Sequence, residues 1–401
     1  MDALASTQPA TVRFDSLDGA FAKTAFRGSV ITVLTLGLYR FWFVTNLRRL
    51  FWSRTVLDGS PFEYTGRGLE LFLGFLVALV IVLPLYGLSF WWGANNPIEH
   101  PIAYVCFIGI YLFLVYDGLY RSYRYRFSRT RWRGIAFSLG GSAEVYAAWA
   151  VVFLVLNVVT LGWSIPYTIA SQERRKIGNL SFGSLPVSTE IKGRMLLKPF
   201  AYAWLSTAAV TVSMCGFLLV TLLWAKEIVD EDQYFDQFLI YFQALPFVVL
   251  IGFVSYLFFD ARRISICGSA ISCGQSRVKL FFSVRSRILP IIGMGVALLA
   301  ATGLTIFIFS VGARAFPLHG TTTYSVTSIG LMAANYGLWI IIFMFAKIWI
   351  WQRSIWGAIA NGASVTNLDA LGVAAAVAGP ATSAANEGFG DILTTGIDVG
   401  F

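Results

Sequence analysis

The chain has 401 residues, of which 57% are hydrophobic and 13% charged, with a mean hydropathy of +0.69. Soluble chains carry about 25% charge, so this one cannot cover its own surface with polar groups, and lipid must be its solvent over much of its length. The net charge is +9, yet four cysteines and two histidines exclude a disulfide framework and a histidine-rich metal site, so neither metal nor cofactor is expected.

In chain order, residues 1–20 are polar and include Asp15 and Asp18, which argues against a signal peptide. A strand-like stretch near Phe14 and then Gly19 lead to the twelve uncharged residues between Arg27 and Arg40, too few to cross a bilayer comfortably. A basic loop at 48–67 follows, then uncharged runs at 71–98 and 101–116. Six arginines fall within 121–133, and alternation over Arg129–Phe137 suits a strand, so a small cytosolic β-structure is expected beneath the helices. Further uncharged runs are 145–172, 199–225, 237–259, 288–313 and 315–346, separated by basic loops at 174–198 and 262–287 and an acidic one at 227–236. From about residue 357 the composition turns to Ala, Gly, Ser and Thr.

The positive-inside rule selects among topologies. If 28–47 and 145–172 both cross, Lys and Arg divide 17 against 12; if only the second crosses, 16 against 14. If neither crosses, 28 share one side and only Lys226 and Arg314 lie opposite, together with the acidic loop. The last arrangement predicts an all-α polytopic membrane protein with cytoplasmic termini. Its six crossings lie near 71–96, 101–118, 199–225, 237–259, 288–313 and 323–346. Segments 20–47 and 143–170 become re-entrant or interfacial hairpins. Backbone broken at membrane depth survives only where protein or trapped water satisfies it.

An internal repeat supports this plan. Thr35-Leu36-Gly37 followed by Arg48-Arg49 recurs as Thr160-Leu161-Gly162 followed by Arg174-Arg175, and Gly66-Arg67 returns as Gly193-Arg194. Units of about 125 residues then cover 1–134 and 135–259. Residues 260–356 form a partial third unit without T-L-G, and 357–401 a small-residue cytosolic tail.

The stretches TLGLYRFW, LRRLFWSRTVLDGSPFEYTG, RTRWRGIAFSLGGSAEVY and NEGFGDILTTGIDVGF, with F-x-x-x-x-G near the start, resemble the YjgN family of bacterial inner-membrane proteins. The resemblance runs from about Val12 to the C-terminus. It implies a multi-pass protein of the bacterial cytoplasmic membrane and transfers no catalytic or binding residue. The second T-L-G copy reads TLGWSIPY, so the two hairpins need not be equivalent.

Among the residues, Arg48, Arg49, Arg121, Arg124 and Arg126, with Arg174, Arg175, Arg262 and Arg263, are placed to set topology and grip anionic phospholipid head groups. Their aromatic neighbours resemble a nucleic-acid platform out of context, but their position beside a span favours lipid, and no nucleic-acid partner is expected. The T-L-G hairpins, with Thr35, Gly37, Asn157, Thr160 and Gly162, offer two readings. Broken ends can build a solute or ion site, or the hairpins can be wedges that pack small residues between helices. Asn157 and Asn335 read as bonds across helices. Cys267 and Cys273 read as buried thiols, and His100 and His319 as residues of outward loops. Hydrolase, metalloprotease and Walker motifs are missing from the sequence, so an enzyme is not expected. Two functions remain: a transporter- or channel-like protein for a small or amphipathic solute or lipid, and a non-catalytic scaffold for an envelope complex.

Overall fold

A computed structural model describes residues 9–15, 19–95, 101–224, 231–315 and 326–375. Short strands alternate with antiparallel helix pairs. β1 (Ala10–Phe14) leads into α1 (Gly19–Leu34) and α2 (Arg40–Ser53), which return to β2 (Thr55–Leu57). β3 (Ser60–Tyr64) continues into α3 (Gly68–Asn95) and α4 (Pro101–Ser128), then β4 (Thr130–Trp132) and β5 (Ile135–Leu139). The pattern recurs with α5 (Ala143–Val159), α6 (Ile165–Ile177), β6 (Leu180–Phe182) and β7 (Leu185–Thr189), and again with α7 (Gly193–Trp224), α8 (Glu231–Ser269), β8 (Ile271–Cys273) and β9 (Ser276–Leu280). Last come α9 (Val284–Ala315), α10 (Val326–Ala346), a π-helical segment (Lys347–Gln352), α11 (Arg353–Asn361) and β10 (Ala363–Thr366).

Every strand pairs antiparallel with the next, and β10 pairs with β1 (Thr11 opposite Ser364), closing a ten-stranded up-and-down barrel. The tight connections show why these sequences turn. Asp58 and Gly59 have φ of +50° and +70°, and Arg133 and Gly134 +50° and +76°. Two successive positive φ values make the type I′ turn whose twist matches a hairpin. Because each helix pair links two neighbouring strands, all the described pairs stand on one rim of the barrel and the tight turns lie on the other. The helices touch in cyclic order, α1 on α2 round to α10, which packs back on α1.

Inside the barrel, Leu57, Trp132, Phe182 and Val365 form an apolar cluster with Phe62, Ile135 and Phe137. At the turn rim a 3₁₀ segment, Leu368–Val373, lays Leu368 and Leu371 against this cluster. It is strapped down by Ser276 Oγ, which donates to Asn367 O at 2.8 Å, and by Ser184, whose N–H donates to Ala375 O at 3.0 Å. At the helix rim a second core joins Phe14, Phe21, Phe43, Phe51, Trp52 and Ile348.

The chain is mostly helical and polytopic, as expected, but it is not all-α. The β-structure foreseen at Arg129–Phe137 is β4–β5, one hairpin of a complete barrel. Strands of three to five residues are too short for an alternating pattern to stand out beside 28-residue helices. Among the described residues five helices are long and apolar enough to cross a membrane: Gly68–Trp92, Val105–Ser128, Gly193–Gly216, Val284–Val311 and Met332–Asn361. The expected crossing at 237–259 falls in α8, whose side chains are described only in part. Both T-L-G segments are helical hairpins whose two ends join adjacent barrel strands. Their helices have 13 to 17 residues, about 20–26 Å at 1.5 Å per residue, short of a hydrocarbon core of about 30 Å. The stretch expected to be a tail begins inside the fold, since residues to Asn361 complete α11 and 363–366 are β10. His100, His319 and residues 376–401 lie outside the described residues.

Candidate functional site: an aromatic chamber at the mouth of the barrel

The two T-L-G turns share one geometry. The Gly37 and Gly162 N–H groups donate to Thr32 O and Asn157 O, both at 2.7 Å, and the Leu36 and Leu161 N–H groups donate to Val33 O and Val158 O. This is the 6→1 and 5→2 pattern that ends a helix in a left-handed residue. Here that residue is leucine, at φ +51° and +52°, followed by glycine at +90° and +89°. Thr35 and Thr160 return their hydroxyls to Ile31 O and Leu156 O, each at 2.8 Å, and Trp204 Nε1 donates to Leu161 O. Asn157 Oδ1 accepts from the Ser164 and Thr168 hydroxyls, tying α5 to α6. Much of the backbone freed by the break is thus bonded inside the hairpins, and at Leu161 by Trp204 of α7. Leu36 is 95% exposed at the tip of its turn, and no residue of either T-L-G lines the chamber described below.

Most of the arginines expected at lipid head groups are held by protein. Arg48 is buried and donates to Tyr64 Oη; Arg49 donates to Gly66 O at 2.7 Å. Arg121 bridges Asp117 and Glu144, each at 2.6 Å, pinning α4 to α5, and Arg124 donates to Gly141 O. Arg175 lies over the Trp149 ring, and Arg263 pairs with Asp260. Arg174 and Arg262 are exposed. Asn335 Oδ1 has no partner among the described residues.

Another arginine of this set, Arg126, faces a chamber of about 360 Å³ at the helix rim. Trp52 of α2, Tyr123 and Phe127 of α4, Phe62 and Phe137 of β3 and β5, and Trp356 of α11 form its walls. Four polar side-chain atoms in those walls are engaged with one another or with backbone. Trp356 Nε1 donates to Thr55 Oγ1 at 2.8 Å, Trp52 Nε1 donates to Thr130 Oγ1 at 2.9 Å, and the two threonines return to Phe51 O and Arg126 O. Among the described residues of the lining Arg126 is the one cation; it is buried, with its guanidinium centre 4.9 Å from the Tyr123 ring centroid. Lys176 lies 4.7 Å from the same centroid. An apolar pocket of a few hundred Å³ with one oriented polar group is the usual form of a small-molecule site. This one suits a molecule with an apolar body and an anionic or electron-rich end.

Sequence reasoning named Arg126 with its aromatic neighbours Tyr123 and Phe127 and missed the other walls, because they come from segments separated by up to 304 positions (Trp52 to Trp356). The interleaving of arginine with Tyr123 and Phe127 was the available signal. Among the described residues no group of three His, Cys, Asp or Glu could hold a metal ion. Burial pushes the Cys267 thiol up to about 12 and raises that of Cys273, so both stay protonated and poor as metal ligands.

The family described as "Bacterial protein of unknown function (DUF898)" matches residues 9–391. The Inner membrane protein YjgN of Salmonella typhimurium is 26% identical over 178 residues, which cover 43% of this chain and 41% of that protein. The chain thus spans about two fifths of the length of the curated relative it matches. The family resemblance drawn from the sequence motifs is borne out. No solved structure matches the chain.

Proposed function

The chain belongs to the DUF898 family of bacterial proteins, and from that premise we propose that it is a transporter-like protein of the bacterial inner membrane. It takes up an amphipathic solute, lipids included, in the chamber at the barrel mouth. The observation that carries the reading is the chamber itself, an aromatic space with the buried cation Arg126 at the foot of membrane-length helices. An acyl or other apolar body gains from burial there at about 25 cal/mol per Å², and an anionic end gains from Arg126. The barrel beyond is filled by the Leu57, Trp132, Phe182 and Val365 cluster and strapped at its turn rim, which favours exchange with the membrane over conduction through the barrel.

In this reading the barrel and both termini are cytoplasmic, supported by the 28-to-2 division of basic residues. The matched T-L-G turns support duplication of a unit of about 125 residues, with each hairpin wedged into one leaflet. No catalytic step and no nucleic acid enter this function. The alternative is a non-catalytic scaffold for an envelope complex, using the aromatic-rich bundle and the stretch after Gly357.

The test is photo-cross-linking of the full-length protein in native membranes with a diazirine-bearing fatty acid, followed by peptide mapping. Labelling at Tyr123, Phe127 or Trp356 that falls at least fivefold in Arg126→Met supports the reading. Labelling spread over the lipid-facing helices and unchanged by Arg126→Met overturns it.

A further inference from the structure

A second site lies away from the chamber and does not depend on it. Where α7 leaves the barrel and α8 returns, a groove of about 870 Å³ opens between the two helices beside β8. Lys192 and Arg194, at the start of α7, and Arg262, on α8, line it with Glu190. Three cations against one carboxylate leave two positive charges in excess. Four other basic residues near this level are neutralised: Arg121 by Asp117 and Glu144, Arg129 by Glu70, and both Arg263 and Arg287 by the buried Asp260. In contrast, Lys192, Arg194 and Arg262 have no ion pair among the described residues, and Arg262 rests its guanidinium 5.5 Å from the Phe258 ring centroid. All three are exposed.

The groove also has the right depth and walls. Gly193 begins a membrane-length apolar stretch that runs to Gly216, so Lys192 and Arg194 sit where the hydrocarbon core gives way to head groups. The Ser265 and Ser269 hydroxyls are turned to the backbone of β9 and its exit, donating to Phe282 O and Leu280 O, so the groove's charge is set by the three cations and Glu190. On the membrane side, Met195 is 45% exposed and Tyr202 and Leu205 more than half exposed, an apolar strip up α7. Uncompensated cations under an apolar strip recognise a phosphate that carries acyl chains.

We infer that Lys192, Arg194 and Arg262 form a binding site for the phosphate of an anionic phospholipid, whose chains run along α7. A free phosphate shares the charge chemistry but gains nothing from the apolar strip.

The test uses full-length protein purified in mild detergent with added phosphatidylglycerol or phosphatidylcholine, read by native mass spectrometry. The wild type is expected to retain phosphatidylglycerol at least tenfold over phosphatidylcholine. The triple variant Lys192→Gln/Arg194→Gln/Arg262→Gln is expected to lose that preference about tenfold. The charge-preserving Arg194→Lys/Arg262→Lys restores most of it, which separates site loss from misfolding. Equal retention of both lipids by the wild type, or an unchanged preference in the triple variant, refutes the site. Displacement of phosphatidylglycerol by millimolar inorganic phosphate refutes the lipid and assigns the groove to the free anion.

Discussion

Asp260 is the buried carboxylate that joins α8 to α9. Its side chain is 2% exposed, and its two oxygens lie 2.6 Å from Arg263 on its own helix and 2.6 Å from Arg287 on the next. Arg287 is 12% exposed and lies 5.4 Å from the Trp351 ring centroid. Asp260→Leu therefore strands a guanidinium that water barely reaches, and removing one partner of such a buried pair costs about 3–5 kcal/mol. Arg263, at 39% exposed, is screened and adds less than about 1 kcal/mol. The expected loss is about 3–5 kcal/mol, most of it from Arg287. The double variant Asp260→Leu/Arg287→Met removes both charges together, and apolar replacement of a buried pair is often neutral. The assay is a double-mutant cycle of unfolding free energy in mixed micelles, with Asp260→Leu, Arg287→Met and the double variant. A coupling of at least about 1.5 kcal/mol is expected, well above the scatter of about 0.5 kcal/mol for independent sites. Strictly additive losses would show that the carboxylate does not hold the two helices together.

Three further outcomes follow from other parts of the fold. With its thiol pushed up to about 12 by burial, Cys267 should alkylate about a thousandfold more slowly at pH 8.5 than in the denatured protein, because only the thiolate reacts; equal rates contradict the burial. The same raised value makes the folded state hold this proton more tightly than the unfolded chain, so the contribution of Cys267 to stability is present below the ordinary thiol range and declines as pH rises toward 12. Gly183 has φ +54°, and a Cβ there would lie 2.3 Å from Ala375 O. Gly183→Ala should cost about 1–2 kcal/mol and free the strap to protease cleavage around 368–375; a strap as protected as in the wild type sinks that reading. Phe21 is fully buried and packs edge-on against Phe51 at 5.2 Å between centroids, so Phe21→Ala should destabilise by about 3–5 kcal/mol, and a loss under 1 kcal/mol would mean that α1 does not seat on this core.

What the amino-acid sequence determined by itself is everything set by local pattern. Long uncharged runs needed only hydropathy to be read as spans. The T-L-G breaks needed only a helix too short to cross and a glycine that accepts positive φ, and the structure turns both hairpins at those residues. The β-structure at Arg129–Phe137 could be seen because its alternation stands clear of a helix, although the fold splits it into β4 and β5 at the Arg133-Gly134 turn.

The tertiary structure decided what depends on distant partners. β1 and β10 hydrogen-bond across more than 350 positions, and nothing within strands of four or five residues announces that closure. The chamber needs Trp52, Tyr123 and Trp356 brought to one rim, which follows only once the barrel has closed. The charges show the limit most clearly. Arg48, Arg124 and Arg262 look alike in sequence, each a cation beside a span. In the fold Arg48 meets a tyrosine hydroxyl, Arg124 a glycine carbonyl, and Arg262 an open groove. A guanidinium binds whichever acceptor lies within about 3 Å, and that distance is a property of the closed barrel and its ring of helices, absent from the linear order of residues.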